Sequence, residues 1–127
     1  MLKRFFIVLA IGLAVPHLSA QVNVQLEALK RLKGIDLDAT PAIKKVVLDL
    51  LKAASGQAAF VEIVRDFKLR GHEAELLRYA QEHPSDSAGV EASRLVLNDE
   101  GLKLVRAAID GEHAADTVAV LANALAP

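Results

Sequence analysis

The 127-residue chain has the length of one domain, and its net charge of −1 gives no excess of Lys and Arg for binding nucleic acid. The chain contains no cysteine, which excludes disulfides, thiolate metal sites, thiol nucleophiles and covalent haem attachment through Cys-x-x-Cys-His. Hydrophobic residues make up 53% of the chain but aromatic residues only 4%, so Leu, Val, Ile and Ala must fill the core. This mixture favours packed helices over a sheet.

The N-terminus has the pattern of an export signal. Two basic residues precede the apolar run from Phe5 to Val15, and Pro16 follows the run before a short segment with small residues. This order of charged, apolar and small-residue regions is typical of a secretory signal peptide. We therefore expect residues 1–20 to be a signal peptide, residues 21–127 to form a helical domain, and the protein to be periplasmic or extracellular. The alternative is an uncleaved membrane anchor, although the run is shorter than the roughly 20 residues that span a bilayer.

Apolar residues at helical spacing predict about six or seven helices after this segment. A first helix over residues 23–33 ends at Gly34, and Thr40 followed by Pro41 marks the start of the second, because a Thr hydroxyl can cap free amides and Pro suits the first turn. Gly56, Gly71 and Pro84 mark the ends of the second, third and fourth helices. Their apolar stripes are Ile43, Val46, Val47, Leu50, Leu51 and Ala54, then Phe60, Ile63, Val64 and Phe67, then Leu76, Leu77 and Ala80.

Three further helices are predicted after Pro84. Asp86 or Ser87 is expected to cap the fifth helix, although Gly89 in its first turn weakens that helix by about 1 kcal/mol relative to Ala. Asn98 begins the sixth helix. The residues expected to be buried are Val90, Leu95, Val96 and Leu97, then Leu102, Val105 and Ile109, then Val118, Leu121, Ala122 and Leu125. No segment has the alternation of a strand, so the chain is predicted to be all-α.

A repeat with a period of 28 residues relates the fourth and fifth helices to the last two. The matched pairs are Leu76 and Leu104, Leu77 and Val105, Arg78 and Arg106, Ala80 and Ala108, Val90 and Val118, and Leu97 and Leu125. Repeats of this length suggest a short right-handed stack of antiparallel helical hairpins, as in a HEAT-like α-solenoid fragment. The alternative is a small bundle in which two amphipathic hairpins match by chance.

No residue pattern predicts a catalytic, cofactor-binding or metal site. His72 and Glu73 begin like the helix of a zinc protease, but Leu76 stands where the second His ligand must be. For His83 and His113, which lie near predicted helix ends, an exposed or capping role is the simpler interpretation. The basic stretch 65–70 is interpreted as a solvated helix end, with binding to a partner or an acidic surface as the alternative. We therefore expect a non-catalytic protein without a metal or a cofactor.

Three stretches carry a resemblance to a known family: EALKRLKGIDL (27–37), FVEIVRDFKLRG (60–71) and HPSDSAGVEA (83–92) followed by Leu95. They resemble the helical region of the large secreted haem-binding proteins of planctomycetes and verrucomicrobia. In that family a propeller similar to sugar dehydrogenases is typically followed by HEAT-like helices and a c-type cytochrome domain. This chain has no counterpart of the propeller or of the haem motif, so the resemblance implies only a helical scaffold.

These observations lead to one functional expectation and one alternative. The expectation is a secreted, non-catalytic helical interaction module with an unidentified protein partner, either a stand-alone paralogue or a truncated part of a haem-protein system. Such a module is not expected to bind nucleic acid, or a membrane except through an uncleaved signal. The alternative is an electron-transfer or haem-associated protein that acts only with a missing C-terminal cytochrome domain or a partner.

Cleavage of the signal peptide can be measured directly. Mass spectrometry of the protein exported from its cell is expected to find a chain that begins at Gln21, because cleavage follows the small-residue segment. A mass that includes the first 20 residues would contradict cleavage and would support the membrane-tethered alternative.

Overall fold

The computed structural model describes residues 21–127, which form seven α-helices and no strand. The prediction of an all-α chain is therefore confirmed for this part of the chain. The helices are α1 (residues 21–30), α2 (Pro41–Ala53), α3 (Ala58–Phe67), α4 (Glu73–Glu82), α5 (Ser87–Leu95), α6 (Asp99–Ile109) and α7 (Ala114–Leu125). The predicted signal peptide, residues 1–20, lies outside the described residues. None of the described helices is both long and apolar enough to cross a bilayer.

Helix α2 begins where it was predicted to begin, but its cap is different. Pro41 occupies the first turn, where its missing N–H leaves no hydrogen bond unmade. The predicted Thr40 cap is wrong, because the Thr40 hydroxyl donates instead to the carbonyl oxygen of Asp36 at 2.7 Å. The Asp36 carboxylate accepts from the backbone N–H of Asp38 at 2.9 Å. The loop before α2 is therefore closed by its own polar groups rather than by a helix cap.

Helices α5 and α6 differ in whether a side chain caps their first turn. Asn98 begins α6 as predicted, and its side-chain oxygen accepts from the N–H of Gly101 at 2.8 Å. Helix α5 also begins where it was predicted to begin, with Asp86 in the N-cap position, but no side-chain hydrogen bond caps it. The predicted side-chain cap by Asp86 or Ser87 is wrong, because the Asp86 carboxylate is turned toward His83, with Oδ2 lying 3.3 Å from Nδ1.

Helices near both ends of the described chain bury narrower faces than the sequence predicts. In α6 the buried residues are Gly101 and Val105, and in α7 they are Thr117 and Val120. Several residues that were expected in the core are exposed instead: Val46, Leu102, Ile109, Val118, Ala122 and Leu125. Apolar spacing identifies the apolar side of a helix, whereas burial also requires neighbouring helices to cover that side. Helices with fewer neighbours therefore leave part of their apolar side exposed.

Helix α5 lies at the centre of the bundle, in contact with α3, α4 and α7. Helix α4 also contacts α6 and α7, α6 contacts α7, and α2 contacts α3. The core that these contacts enclose consists of Val22, Leu26, Leu29, Val47, Leu50, Leu51, Ala54, Ala59, Phe60, Val61, Ile63, Val64, Leu76, Leu77, Tyr79, Ala80, Ala92, Val96, Val105 and Val120. A small helical bundle is thus confirmed, and the HEAT-like arrangement stays a prediction.

Two glycines in the first turns of α5 and α6 allow each turn to pass close to the backbone that precedes the helix. A Cβ atom at Gly89 would overlap the carbonyl oxygen of His83, and one at Gly101 would overlap the carbonyl oxygen of Val96. Both glycines stand three residues after the N-cap, where the first turn passes the preceding segment. Gly89 therefore has a packing role that outweighs its low helix propensity.

Adding a methyl group at Gly89 tests this close approach. We expect Gly89→Ala to lower the free energy of unfolding by about 2 kcal/mol, because overlap with a backbone carbonyl costs more than the roughly 1 kcal/mol that Ala adds in helix propensity. The measurement is urea unfolding followed by circular dichroism. Gly111→Ala is the matched control, since its added Cβ would lie 3.6 Å from the nearest atom, the carbonyl oxygen of Ala108, in ordinary contact. Equal stability of the two variants would contradict the close approach.

Candidate functional site

An open groove with a volume of about 830 Å³ runs along one side of the bundle. It lies between the end of α3, the loop that follows it, the start of α4, the end of α5 and the first half of α6. The apolar side chains that line the groove are Val64, Leu69, Leu76, Leu95 and Leu104. Val64 and Leu76 belong to the buried core, whereas Leu104 is 39% exposed and accessible from the groove. The groove therefore presents apolar surface to solvent.

The end of α3 shapes one edge of the groove. Lys68 has a φ of 50°, in the left-handed region that Gly usually occupies at a helix end. The backbone N–H of Leu69 donates to the carbonyl oxygen of Val64 at 3.0 Å, and the N–H of Lys68 donates to that of Arg65 at 3.3 Å. These hydrogen bonds form a Schellman motif, which ends the helix at Phe67 and turns the chain toward α4. As a result, Lys68 lies at the edge of the groove.

Two basic side chains at this edge have no acidic partner. Among the described residues, Lys68 and Arg70 form no ion pair, and both are exposed. Arg65 differs, because its Nε lies 3.0 Å from Oδ1 of the buried Asp66. This hydrogen bond raises the pKa of Arg65 above its usual value. Lys33, in the turn after α1, approaches the same carboxylate at 4.0 Å, so the charge of Asp66 is already balanced by neighbouring cations.

The acidic side chains of the groove are used within the fold. Oε1 of Glu73, at the start of α4, accepts from Asn98 Nδ2 and from the N–H of Gly71, each at 3.4 Å. Glu100 pairs with Lys103 at 3.0 Å. Asp99 and Glu100 also lie in the first turn of α6, where a negative charge interacts favourably with the helix dipole. Among the described residues, the groove-lining charges without an ion pair are Lys68 and Arg70 at one edge and Glu73 and Asp99 at the starts of α4 and α6.

The three histidines of the described chain lie in separate environments. The His72 ring makes an edge contact with Phe60 at a centroid distance of 6.1 Å, and His83 stacks on Tyr79 at 4.3 Å. His113 is exposed, with Nδ1 lying 3.6 Å from Oδ2 of Asp116. Burial raises the pKa of Tyr79 above its usual value. Nowhere in residues 21–127 do three His, Asp or Glu side chains gather as a metal site would require.

Comparison with known proteins gives no match to a protein-family model, to a curated protein or to a solved structure. The resemblance to the helical region of secreted haem-binding proteins accordingly stays a prediction.

The groove itself was not predicted from the sequence. The basic stretch 65–70 was interpreted as a solvated helix end, and Arg65, Lys68 and Arg70 are indeed exposed at or just beyond the end of α3. What the sequence did not reveal is that the starts of α4 and α6 lie opposite this stretch. No local pattern in the sequence marks this proximity.

Replacing Lys68 by Gly tests the cost of the left-handed conformation. We expect Lys68→Gly to raise the free energy of unfolding by about 1 kcal/mol, because Gly adopts a positive φ without a steric penalty. Lys68→Ala is the control: it removes the ammonium group but keeps a Cβ, so stability should stay close to that of the parent. Chemical unfolding of the three proteins gives the comparison. No gain from Gly over Ala would show that Lys68 carries no such cost.

Proposed function

We propose that this protein is a secreted, non-catalytic helical module that binds a segment of a partner polypeptide in the groove. The observation that carries the proposal is the combination of an exposed apolar lining with two unpaired cations at one edge. An open groove of this kind cannot enclose a small molecule, whose pockets usually bury most of the ligand surface. It suits an amphipathic segment, which covers the apolar lining with one side and leaves the other in solvent.

The charges of the groove define the chemistry of the partner segment. Lys68 and Arg70 favour a segment with acidic side chains along the edge that faces them, since neither cation forms an ion pair among the described residues. Leu104 and its apolar neighbours supply the affinity, at roughly 25 cal/mol for each Å² of apolar surface removed from water. Charges at a rim mainly affect the association rate and the orientation of the partner.

The export and family aspects of the proposal have separate support. The arrangement of basic, apolar and small residues over positions 1–20 supports secretion. The contacts of α4 with α5, of α6 with α7, and of α5 with α7 are those expected of stacked hairpins, and they support a HEAT-like arrangement. A role as an accessory or truncated part of a haem-protein system rests on the resemblance of residues 27–37, 60–71 and 83–92.

A designed peptide can probe the groove without knowledge of the natural partner. An amphipathic peptide of about 15 residues built from Leu and Glu, long enough for about four helical turns, should bind more tightly than the corresponding peptide of Leu and Lys. Arg70→Glu should weaken binding of the Leu/Glu peptide by roughly threefold to tenfold, because it reverses one of the two unpaired charges. Fluorescence anisotropy of labelled peptide gives both affinities.

Two further variants separate the groove from effects of net charge. Arg31→Glu makes the same change of charge at an exposed residue after α1 that does not line the groove, and it should leave the affinity unchanged. Leu104→Ala should weaken binding by shortening the exposed apolar lining. If the Leu/Glu peptide does not bind, or if Arg31→Glu is as harmful as Arg70→Glu, the groove is not the binding site.

A further inference from the structure

Gln21 is the residue that signal cleavage after Ala20 places at the start of the mature chain. It is exposed, and it is the first residue of α1 within the described part of the chain. An N-terminal Gln holds an amine nucleophile and a side-chain amide within one residue. The other glutamines of the chain, Gln25, Gln57 and Gln81, lack this combination, because their backbone nitrogen belongs to a peptide bond.

The two groups of an N-terminal Gln can react with each other without a further reactant. The uncharged α-amino nitrogen attacks Cδ, a new bond forms between the two atoms, and a five-membered lactam closes. The bond between Cδ and Nε2 breaks, and Nε2 takes the proton that the amine gives up and leaves as ammonia. Because both groups belong to one residue, the reaction is intramolecular and has a high effective concentration. It requires exposure of Gln21 but no other side chain.

We propose that Gln21 is converted to pyroglutamate once the signal peptide is removed, so that the mature chain ends in a neutral lactam. The modification site is thus the α-amino group and the side-chain amide of Gln21. The proposal rests on the secretion and cleavage proposed for residues 1–20, and it does not depend on the groove.

The burial of α1 indicates what the lactam protects. Val22, Leu26 and Leu29 are only 6%, 4% and 7% exposed, so α1 contributes three residues to the core. The first of them is the second residue of the mature chain. Chain ends are where proteolysis concentrates. An exopeptidase that requires a free α-amino group would reach Val22 after a single cut, and the lactam removes the group that such an enzyme must bind.

The charges of α1 also favour a neutral chain end. A free α-amino group is largely protonated at neutral pH, and a positive charge at the start of a helix interacts unfavourably with the helix dipole. Residues 21–24 contain no acid that could balance this charge. The first acid of α1 is Glu27, which pairs with Lys30 at 2.8 Å. Conversion of the amine to a lactam removes the unfavourable charge.

Intact-mass spectrometry of the protein exported from its own cell, analysed directly after purification, tests the modification. The main species should be lighter than the unmodified chain of residues 21–127 by the mass of one ammonia molecule. Fragmentation should place this loss at residue 21. A second readout is labelling with an amine-reactive reagent, which should modify lysines such as Lys45 but not the N-terminus.

Two Gln-to-Asn variants provide matched controls. In Gln21→Asn the corresponding ring would have four members and would be strained, so this protein should keep its full mass and accept the label at its N-terminus. Gln25→Asn makes the same change at an exposed residue four positions further along α1 and should still lose ammonia at residue 21. Circular dichroism shows that both variants fold.

Several outcomes would overturn the proposal. A chain that begins at Gln21 with its full mass and a reactive amine would overturn it while leaving secretion and cleavage intact. A loss of ammonia that persists in Gln21→Asn, or that arises only during storage of the purified protein, would also overturn it. A chain that begins at any other residue would refute both the lactam and the proposed cleavage site. Peptide binding in the groove is measured separately, so it is unaffected by any of these results.

Discussion

Helix α5 approaches α3, α4 and α7 through the smallest side chains of the core. Its buried residues are Gly89, Ala92 and Ser93, and the Ser93 hydroxyl is satisfied by the carbonyl oxygen of Gly89 at 3.0 Å. Three helices can pack around one only if their axes come close, and large side chains on the central helix would prevent this. With aromatic residues at only 4% of the chain, dense packing of small and branched side chains has to supply the stability that larger residues would otherwise provide.

The position of α5 also determines where the groove lies. Val96 follows α5 directly, and the close approach of Gly101 to its carbonyl oxygen begins α6 without a longer loop. The Asn98 side chain then reaches Glu73 at 3.4 Å, which holds the start of α6 beside the start of α4. The groove is the space that remains between these two helix starts and the end of α3. Its shape therefore follows from the close approach at Gly101 and from the contact of Asn98 with Glu73, and its exposed edge charges, Lys68 and Arg70, can be varied without altering the core.

The sequence predicts the helices well because helix ends depend on local chemistry. Pro41 and Asn98 mark helix starts, and the turns at Gly34, Gly56 and Gly71 all have a positive φ. The buried side of each helix depends on distant parts of the chain, so Leu102 and Val118 were expected in the core but are exposed. The need for Gly at position 89 could not be predicted either, because it arises only from the close approach to the carbonyl oxygen of His83. The groove combines segments from Val64 to Leu104, which no local pattern brings together.

The residues that would give the groove its affinity differ from those that would give it selectivity. Val64 and Leu76 belong to the buried core and Leu104 is 39% exposed, so the apolar lining continues the core outward to solvent. Lys68 and Arg70 lie at the edge and are exposed, so neither contributes to the core. The proposed partner segment would therefore gain affinity from apolar contact and its orientation from charge, because charges at a rim mainly affect the association rate and the orientation of a partner.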